Sequence, residues 1–251
     1  MPSLQSDYPQ FPPGFWRRVL LHPEAGRIGG AIEDDMHHFR LRFDHADGVI
    51  LAVRASAVRH PWTGCGGAPG HMVERFTGEK LSDAALRDPM EHCTHLFDLA
   101  VLMAAHAHDS EPSVFDMQVG DRVDGNTTAT LARNGEEHLR LSLHDTVIAA
   151  PEPYAGFDLK KVSRWKEDLP TDLAELMTIL RRAVYVSGAR RYKMRPGLEG
   201  PKSPLAIHAP CYNYRSPVVE TSLSLYEVRD FSICGEEPLQ GLDFSRDFIA
   251  S

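Results

Sequence analysis

A stretch of alternating apolar and polar residues limits this chain to folds that contain an antiparallel sheet. In the segment HFRLRFD, Phe39, Leu41 and Phe43 alternate with charged or polar residues, which is the period of a half-buried strand. A His-Ala-Asp-Gly turn follows, and the apolar segment VILAVRASAV resumes as a second strand. We therefore predict a hairpin over residues 28–43 and 48–58.

Two segments predict long helices, and a third predicts a group of strands between them. Residues 94–108 repeat apolar side chains at helical spacing after Thr94, a preferred N-cap residue, and residues 171–187 do the same after Thr171. The intervening residues 114–149 alternate and contain an Asn-Gly pair, which predicts a three-stranded meander. Strand runs separated by single helices indicate an α+β fold, with antiparallel hairpin and meander packed against two main helices.

Three further elements are expected outside these segments. Residues 1–26 hold several prolines and aromatic side chains, and we expect an ordered arm that packs irregularly on the body of the protein. A short helix is expected around residues 71–76. In the Pro-rich C-terminal extension, the segment SLSLYEVRDFSI (residues 222–233) predicts a strand.

The length of 251 residues fits one large domain or two small ones. We expect a single domain over residues 1–251. Because both parts run from strands to a helix, a division into two halves stays open, at about residues 27–110 and 111–190. Residues 191–251 would then wrap around them as a tail.

The composition excludes several classes of protein. The chain has 27 Lys and Arg against 35 Asp and Glu, a formal net charge of −8, which argues against nucleic-acid binding. No apolar run approaches the roughly 20 residues that span a membrane, and we expect neither a signal peptide nor a membrane partner. Four cysteines are too few for a disulfide scaffold, so we expect reduced thiols in the cytoplasm. The standard nucleotide-binding and hydrolase motifs are missing, and we expect no cofactor.

The start of the helix over residues 94–108 is the first candidate site. Cys93, Thr94 and His95 lie where free backbone N–H groups and the positive end of the helix dipole converge. A thiol in this place is expected to have a lowered pKa, and an anionic group of a substrate would be stabilised there. The alternative is that Cys93 is a buried packing residue without chemistry.

A Gly-rich loop upstream holds further candidate ligands. His60, Cys65, Cys93 and His95 could together form a zinc site, since zinc favours mixtures of nitrogen and sulfur ligands. Their spacings do not match a paired metal-binding pattern, so we expect no metal. If the protein binds one, these four residues are the expected ligands.

The segment EDDMHH is a third candidate site. A carboxylate beside an imidazole orients and activates a general base, and Asp34 or Asp35 could serve His37 in this way. If the strand alternates, His37 and Phe39 share one face while His38 lies on the other. A solvated acidic turn is the alternative.

Cations and aromatic residues offer contacts to a substrate. Arg190 and Arg191 could clamp a carboxylate or a phenolate, or they could only favour the dipole at a helix C-terminus. Trp62 and Tyr212 could line a pocket for an aromatic ring, although such residues also build cores.

Several of these motifs together resemble a known bacterial family. The segments AIEDDMHHFRLRF, RHPWTGC, RFTGEKL and CTHLFDLA are similar to the family of domain of unknown function 2889, and the resemblance covers most of residues 28–190. His92 departs from the family pattern, which usually has glycine there. The motif positions in this chain are Asp34, Asp35, His37, Pro61, Cys65, Gly78, Cys93, Thr94, His95 and Leu96.

The resemblance implies a role in the breakdown of aromatic compounds. We expect a cofactor-independent carbon–carbon lyase, for example one that releases formaldehyde from a lignin-derived diaryl compound of the phenylcoumaran type and leaves a stilbene. His95 or His37 would be the base, with His60 as a further candidate, and Cys93 and Thr94 would contact the substrate. The expected partner is a small aromatic molecule, and a homodimer is left open.

Two alternatives from other classes of protein remain. The first is a non-catalytic module that binds a small molecule or is stabilised by zinc. The second is a hydrolase or transferase that uses Cys93 as its nucleophile.

Overall fold

The computed structural model describes residues 13–164, 166–192, 195–203 and 211–247. Its strands form an eight-stranded antiparallel sheet in the order β4-β3-β2-β1-β5-β6-β7-β8, which confirms the predicted α+β fold. The strands are β1 (Gly14–Glu24), β2 (Arg27–Asp34), β3 (His38–Ala46), β4 (Val49–Arg59), β5 (Ser113–Gly120), β6 (Asn126–Arg133), β7 (Glu136–His144) and β8 (Val147–Ala150).

Two longer helices and three shorter ones accompany the sheet. The helices are α1 (Ala68–Phe76), α2 (Thr94–Ala105), α3 (Thr171–Ser187), α4 (Val218–Thr221) and α5 (Phe244–Asp247). Turns of 3-10 helix lie at Thr63–Gly67, Leu81–Leu86, Pro89–Glu91, Leu159–Arg164, Lys166–Asp168, Gly188–Arg191, Gly200–Lys202 and Tyr212–Tyr214. In the described ranges, no helix is long and apolar enough to cross a membrane.

The chain divides into two compact units. The first comprises residues 1–18, 114–192 and 230–236, and in it α3 packs on β6 and β7. Its core side chains include Phe115, Leu131, Leu141, Met177 and Leu180, all of which are almost completely buried.

The second unit comprises residues 19–113, 193–229 and 237–251. In it α2 packs on β2 and β3, and α1 packs on β4. Strand β3 buries every second side chain as its alternation predicts, and these include Phe39, Leu41 and Phe43, none of which is exposed. All the residues of the candidate site described below belong to this unit.

The turns that join the strands of two hairpins have left-handed backbone angles and lie where the sequence predicts them. Asp47 and Gly48 join β3 to β4 with φ angles of 50° and 74°, and Asn134 and Gly135 join β6 to β7 with 51° and 84°. Glycine, asparagine and aspartate tolerate this conformation best, so the predictions of these two hairpins are confirmed.

Four predicted elements differ from the structure. The described part of the N-terminal arm is strand β1, not an irregular arm, and the predicted strand 28–43 is two strands. The last strand of the meander divides at Asp145, whose φ of 52° turns the chain. Residues 222–233 form no strand and make isolated bridges such as the one between Trp62 and Ser224.

The helix starts are also shifted by one residue. Cys93 and Pro170 occupy the N-cap positions of α2 and α3, and neither makes a side-chain capping bond. Thr94 and Thr171, which were expected to be the caps, are the first helical residues instead. Cys93 therefore has extended backbone angles, and Thr94 lies one position inside the helix.

Gly30 sets how closely α2 approaches the sheet. A Cβ atom at this position of β2 would lie 2.6 Å from Sδ of Met103 and 2.9 Å from Cδ1 of Leu99. Both side chains are completely buried in α2 and have little room to move. Glycine is thus required here by packing.

We predict opposite effects for the same substitution at two glycines. Gly30→Ala should lower the free energy of unfolding by about 1–3 kcal/mol through overpacking. Gly70→Ala, within α1 where an added Cβ meets no atom within 4 Å, should raise it by about 0.4–1 kcal/mol. Urea titration of both variants measures this, and a neutral Gly30→Ala would contradict the close packing of α2.

Candidate functional site

The turn between β2 and β3 is built around a buried carboxylate. The side chain of Asp34 is completely buried, and its Oδ1 accepts hydrogen bonds from the backbone N–H groups of Met36 and His37, both at 2.9 Å. The same oxygen lies 2.9 Å from Nδ1 of His37, which donates to it when protonated at that nitrogen. The carboxylate therefore fixes both the backbone and the imidazole of His37.

His95 meets this turn from the first helical turn of α2. Its ring stacks on that of His37 with centroids 3.8 Å apart and planes inclined by 28°. Its Nε2 lies 3.7 Å from Oδ2 of Asp34, the second oxygen of the carboxylate. The ring of Phe39 lies 5.7 Å from His95 and 6.0 Å from His37, on the apolar face of β3.

Two motifs that are separate in the sequence thus come together. The acidic segment supplies Asp34 and His37, and the start of α2 supplies His95. As the alternation predicts, His37 shares the side of Phe39, while His38 lies with Arg40, whose Nε donates to its Nε2 at 3.2 Å. The side chains of His37 and His95 are 13% and 8% exposed, and Nε2 of His95 is itself buried.

Arg59, at the end of β4, holds the other side of the same turn. Its Nη1 donates to the carbonyl of Asp35 at 2.7 Å, and its Nη2 donates to the carbonyl of Asp34 and, at 3.2 Å, to Oε1 of Glu33. The second oxygen of Glu33 accepts from the backbone N–H of Leu239 at 2.6 Å. The sequence analysis missed Arg59, because no local pattern connects the end of one strand to a turn two strands earlier.

Asp34, His37 and His95 could also hold a metal ion. Within the described ranges they form a group in which one ligand atom from each residue lies within 4.8 Å of the others. Two imidazoles and one carboxylate suit zinc or iron(II). The expected ligand set of His60, Cys65, Cys93 and His95 does not form such a group among the described residues.

Cys93 does not have the properties of a nucleophile. Burial raises the pKa of its thiol to about 12, and the nearby Cys211 adds to the effect. Hydrogen bonds from the backbone N–H groups of Leu96 and His95 lower the pKa, but burial outweighs them. The expected lowered pKa is wrong, because a helix start buried in protein stabilises a thiolate less than water does.

The other candidate residues lie outside this cluster. Nδ1 of His60 lies 2.8 Å from the carbonyl oxygen of Trp62 and donates a hydrogen bond to it when protonated. The ring of the buried Trp62 packs edge to face against that of Tyr214, with centroids 5.7 Å apart. Arg190 belongs to the first unit and pairs with Asp121 and Asp230, both at 2.9 Å. The side chain of Arg191 lies outside the described part of the chain.

Three further candidate residues, Asp35, Thr94 and Tyr212, each have different neighbours. The side chain of Asp35 is buried, and its carbonyl accepts bonds from Arg59 and from the backbone N–H of Arg229. Thr94 is half-buried at the start of α2. The ring of Tyr212 lies 5.4 Å from that of His71.

Comparison with known proteins adds no assignment: the chain matches no protein-family model, and no curated protein matches it. The resemblance to the family of domain of unknown function 2889 therefore stays a prediction from the motifs.

The first prediction for this site concerns the contacts of Arg59. Arg59→Gln removes the guanidinium from two carbonyls and from Glu33, which keeps Arg229 at 3.9 Å, and should lower the free energy of unfolding by about 1–3 kcal/mol. It should also speed hydrogen exchange at the Met36 and His37 amides by roughly tenfold. Arg54→Gln, on the same strand but paired with Asp44 at the surface, is the control and should change stability by less than about 1 kcal/mol. Equal effects of the two substitutions would contradict the stabilisation of the turn by Arg59.

The second prediction concerns His92 and the dependence of stability on pH. Burial lowers the pKa of this completely buried imidazole from 6.5 to about 4, with His71 adding to the effect. Between these values the unfolded chain takes up a proton that the folded chain excludes, so stability is lost as the pH falls from 6.5 to 4. His92→Phe should reduce the slope of stability against pH by up to about 1.4 kcal/mol per unit in this window, measured by urea titration. The control is His138→Phe, at an exposed position. An unchanged slope in His92→Phe would contradict the lowered pKa of His92.

Proposed function

We propose that this protein is a lyase that acts on a small aromatic compound by proton transfer. The observation that carries the proposal is the pair of stacked imidazoles, His37 and His95, beside the buried carboxylate of Asp34. A carboxylate that holds one imidazole, with a second imidazole in contact, supplies both a base and an acid within one site.

The proposed reaction is the release of formaldehyde from a hydroxymethyl group next to a cyclic aryl ether. The base removes the hydroxyl proton, and the electron pair of the O–H bond forms the C=O bond of formaldehyde. The carbon–carbon bond breaks, its electron pair forms the new C=C bond, and the ether oxygen leaves as a phenolate. A proton returned to the phenolate completes the stilbene. The reaction is redox-neutral, so it needs no external oxidant or reductant.

The geometry supports separate roles for the two imidazoles. His37 is the proposed base, because Asp34 holds its Nδ1 side and stabilises the imidazolium that forms when Nε2 takes the proton. His95 is the proposed acid for the leaving phenolate. Two positive rings 3.8 Å apart would repel each other, which favours a pair that carries one added proton at a time.

Other features of the protein fit this proposal. Phe39 gives the two imidazoles an apolar neighbour, and Thr94 at the start of α2 offers a polar contact to the substrate. The free thiols of Cys65, Cys93, Cys211 and Cys234 agree with the proposed location in the cytoplasm. The raised pKa of Cys93 speaks against the cysteine-dependent alternative.

The test is formaldehyde release from a phenylcoumaran bearing a hydroxymethyl group. We predict one formaldehyde per stilbene, and a loss of at least roughly a hundredfold in kcat for His37→Gln and for His95→Gln. His38→Gln, at the neighbouring residue whose side chain lies with Arg40, is the matched control and should keep most of the activity.

Two results would contradict the proposal. The first is equal activity in His37→Gln and the intact protein. The second is activity that disappears on treatment with a chelator and returns with zinc or iron(II), since Asp34, His37 and His95 would then act as metal ligands. A homodimer, which we also leave to experiment, would appear as a doubled mass in light scattering.

A further inference from the structure

A second cluster of rings lies between α1, the segment before α2 and Tyr212. The ring of His92 stacks on Phe97 with centroids 5.1 Å apart and planes inclined by 7°, and Phe76 lies 5.5 Å away. His71 of α1 lies 5.2 Å from His92 and 5.4 Å from Tyr212. Aromatic rings thus surround two imidazoles.

The imidazoles of this cluster have unused hydrogen-bonding capacity. His92 is completely buried, and neither of its ring nitrogens has a hydrogen-bond partner in the part of the chain that the structure describes. Nε2 of His71 is likewise buried and without a partner there. Native interiors satisfy nearly all such groups, so three in one cluster point to a bound group that satisfies them.

The chemistry of that group follows from the protonation of the two rings. Burial lowers the pKa of His71 from its usual value, which favours the neutral ring at pH 7. A neutral imidazole has one N–H donor and one acceptor nitrogen, so Nε2 of His71 accepts in the tautomer that carries its proton on Nδ1. His92, neutral for the reason given above, offers one N–H donor and one acceptor. A hydroxyl group matches both rings, because it can accept from His92 and donate to His71.

We propose that His71 and His92 bind the hydroxyl group of a phenol. The rings of Phe76, Phe97 and Tyr212 supply the apolar and aromatic contacts that a phenol ring prefers. His71 and Tyr212 are only partly buried, which gives a ligand a route from solvent. The proposal concerns binding alone and does not depend on the lyase reaction of His37 and His95.

The test uses 4-fluorophenol as the probe and fluorine NMR as the measurement. We expect saturable binding to the intact protein at pH 7, weakened at least tenfold in His92→Phe and in His71→Phe. These variants keep a ring but lose the nitrogens, and their thermal unfolding shows whether they fold. His138→Phe, exposed on β7, is the control and should bind as the intact protein does, while His37→Gln reports whether the probe binds at the other cluster.

Fluorobenzene provides a second arm, since it has the ring but not the hydroxyl. We expect it to bind at least tenfold more weakly than 4-fluorophenol. Absence of saturable binding, or equal binding by folded His92→Phe, would overturn the proposal and leave ordered water as the partner of the two imidazoles. Loss of binding in His37→Gln alone would place the phenol at the other cluster and would also overturn it.

Discussion

The buried carboxylate of Asp34 is the constraint on which the candidate site depends. A carboxylate taken out of water must recover its lost hydration through hydrogen bonds, and Asp34 does so within its own turn. The backbone N–H groups of Met36 and His37 both point at one oxygen, which forces the chain to reverse immediately after β2. The position of His37 is therefore a consequence of satisfying the carboxylate.

Packing brings the second imidazole to this turn. Helix α2 approaches the sheet at Gly30, where the lack of a side chain admits Met103 and Leu99, and this contact places the first turn of the helix beside β3. His95 then stacks on His37. Hydrophobic packing along α2 and hydrogen bonding in the turn thus act together, and neither alone would bring the two rings within 3.8 Å of each other.

The sequence predicted the local elements of the candidate site better than the contacts that bring them together in the fold. The alternation in β3, the helical period of α2 and the carboxylate–histidine pairing are local patterns. They correctly indicated Phe39, the helix and a carboxylate beside His37, which the structure shows to be Asp34 and not Asp35. Arg59 acts across a distance in sequence and leaves no local pattern. The break within residues 28–43 was missed because alternation indicates a strand but not where a turn interrupts it, and here the side chain of Asp34 makes the turn. The lowered pKa expected for Cys93 is wrong because the dipole of a helix does not reveal burial, whereas the alternative of a buried packing residue agrees with the raised pKa.

Nitrogen-15 NMR of the histidine side chains tests the central arrangement most directly. If Asp34 holds the imidazole as described, neutral His37 carries its proton on Nδ1, and that proton is shifted downfield and protected from exchange with water. Asp34→Asn should remove both signatures while the signals of His138 stay unchanged. A His37 ring protonated on Nε2, or an Nδ1 proton that exchanges as fast as in a free peptide, would contradict the account.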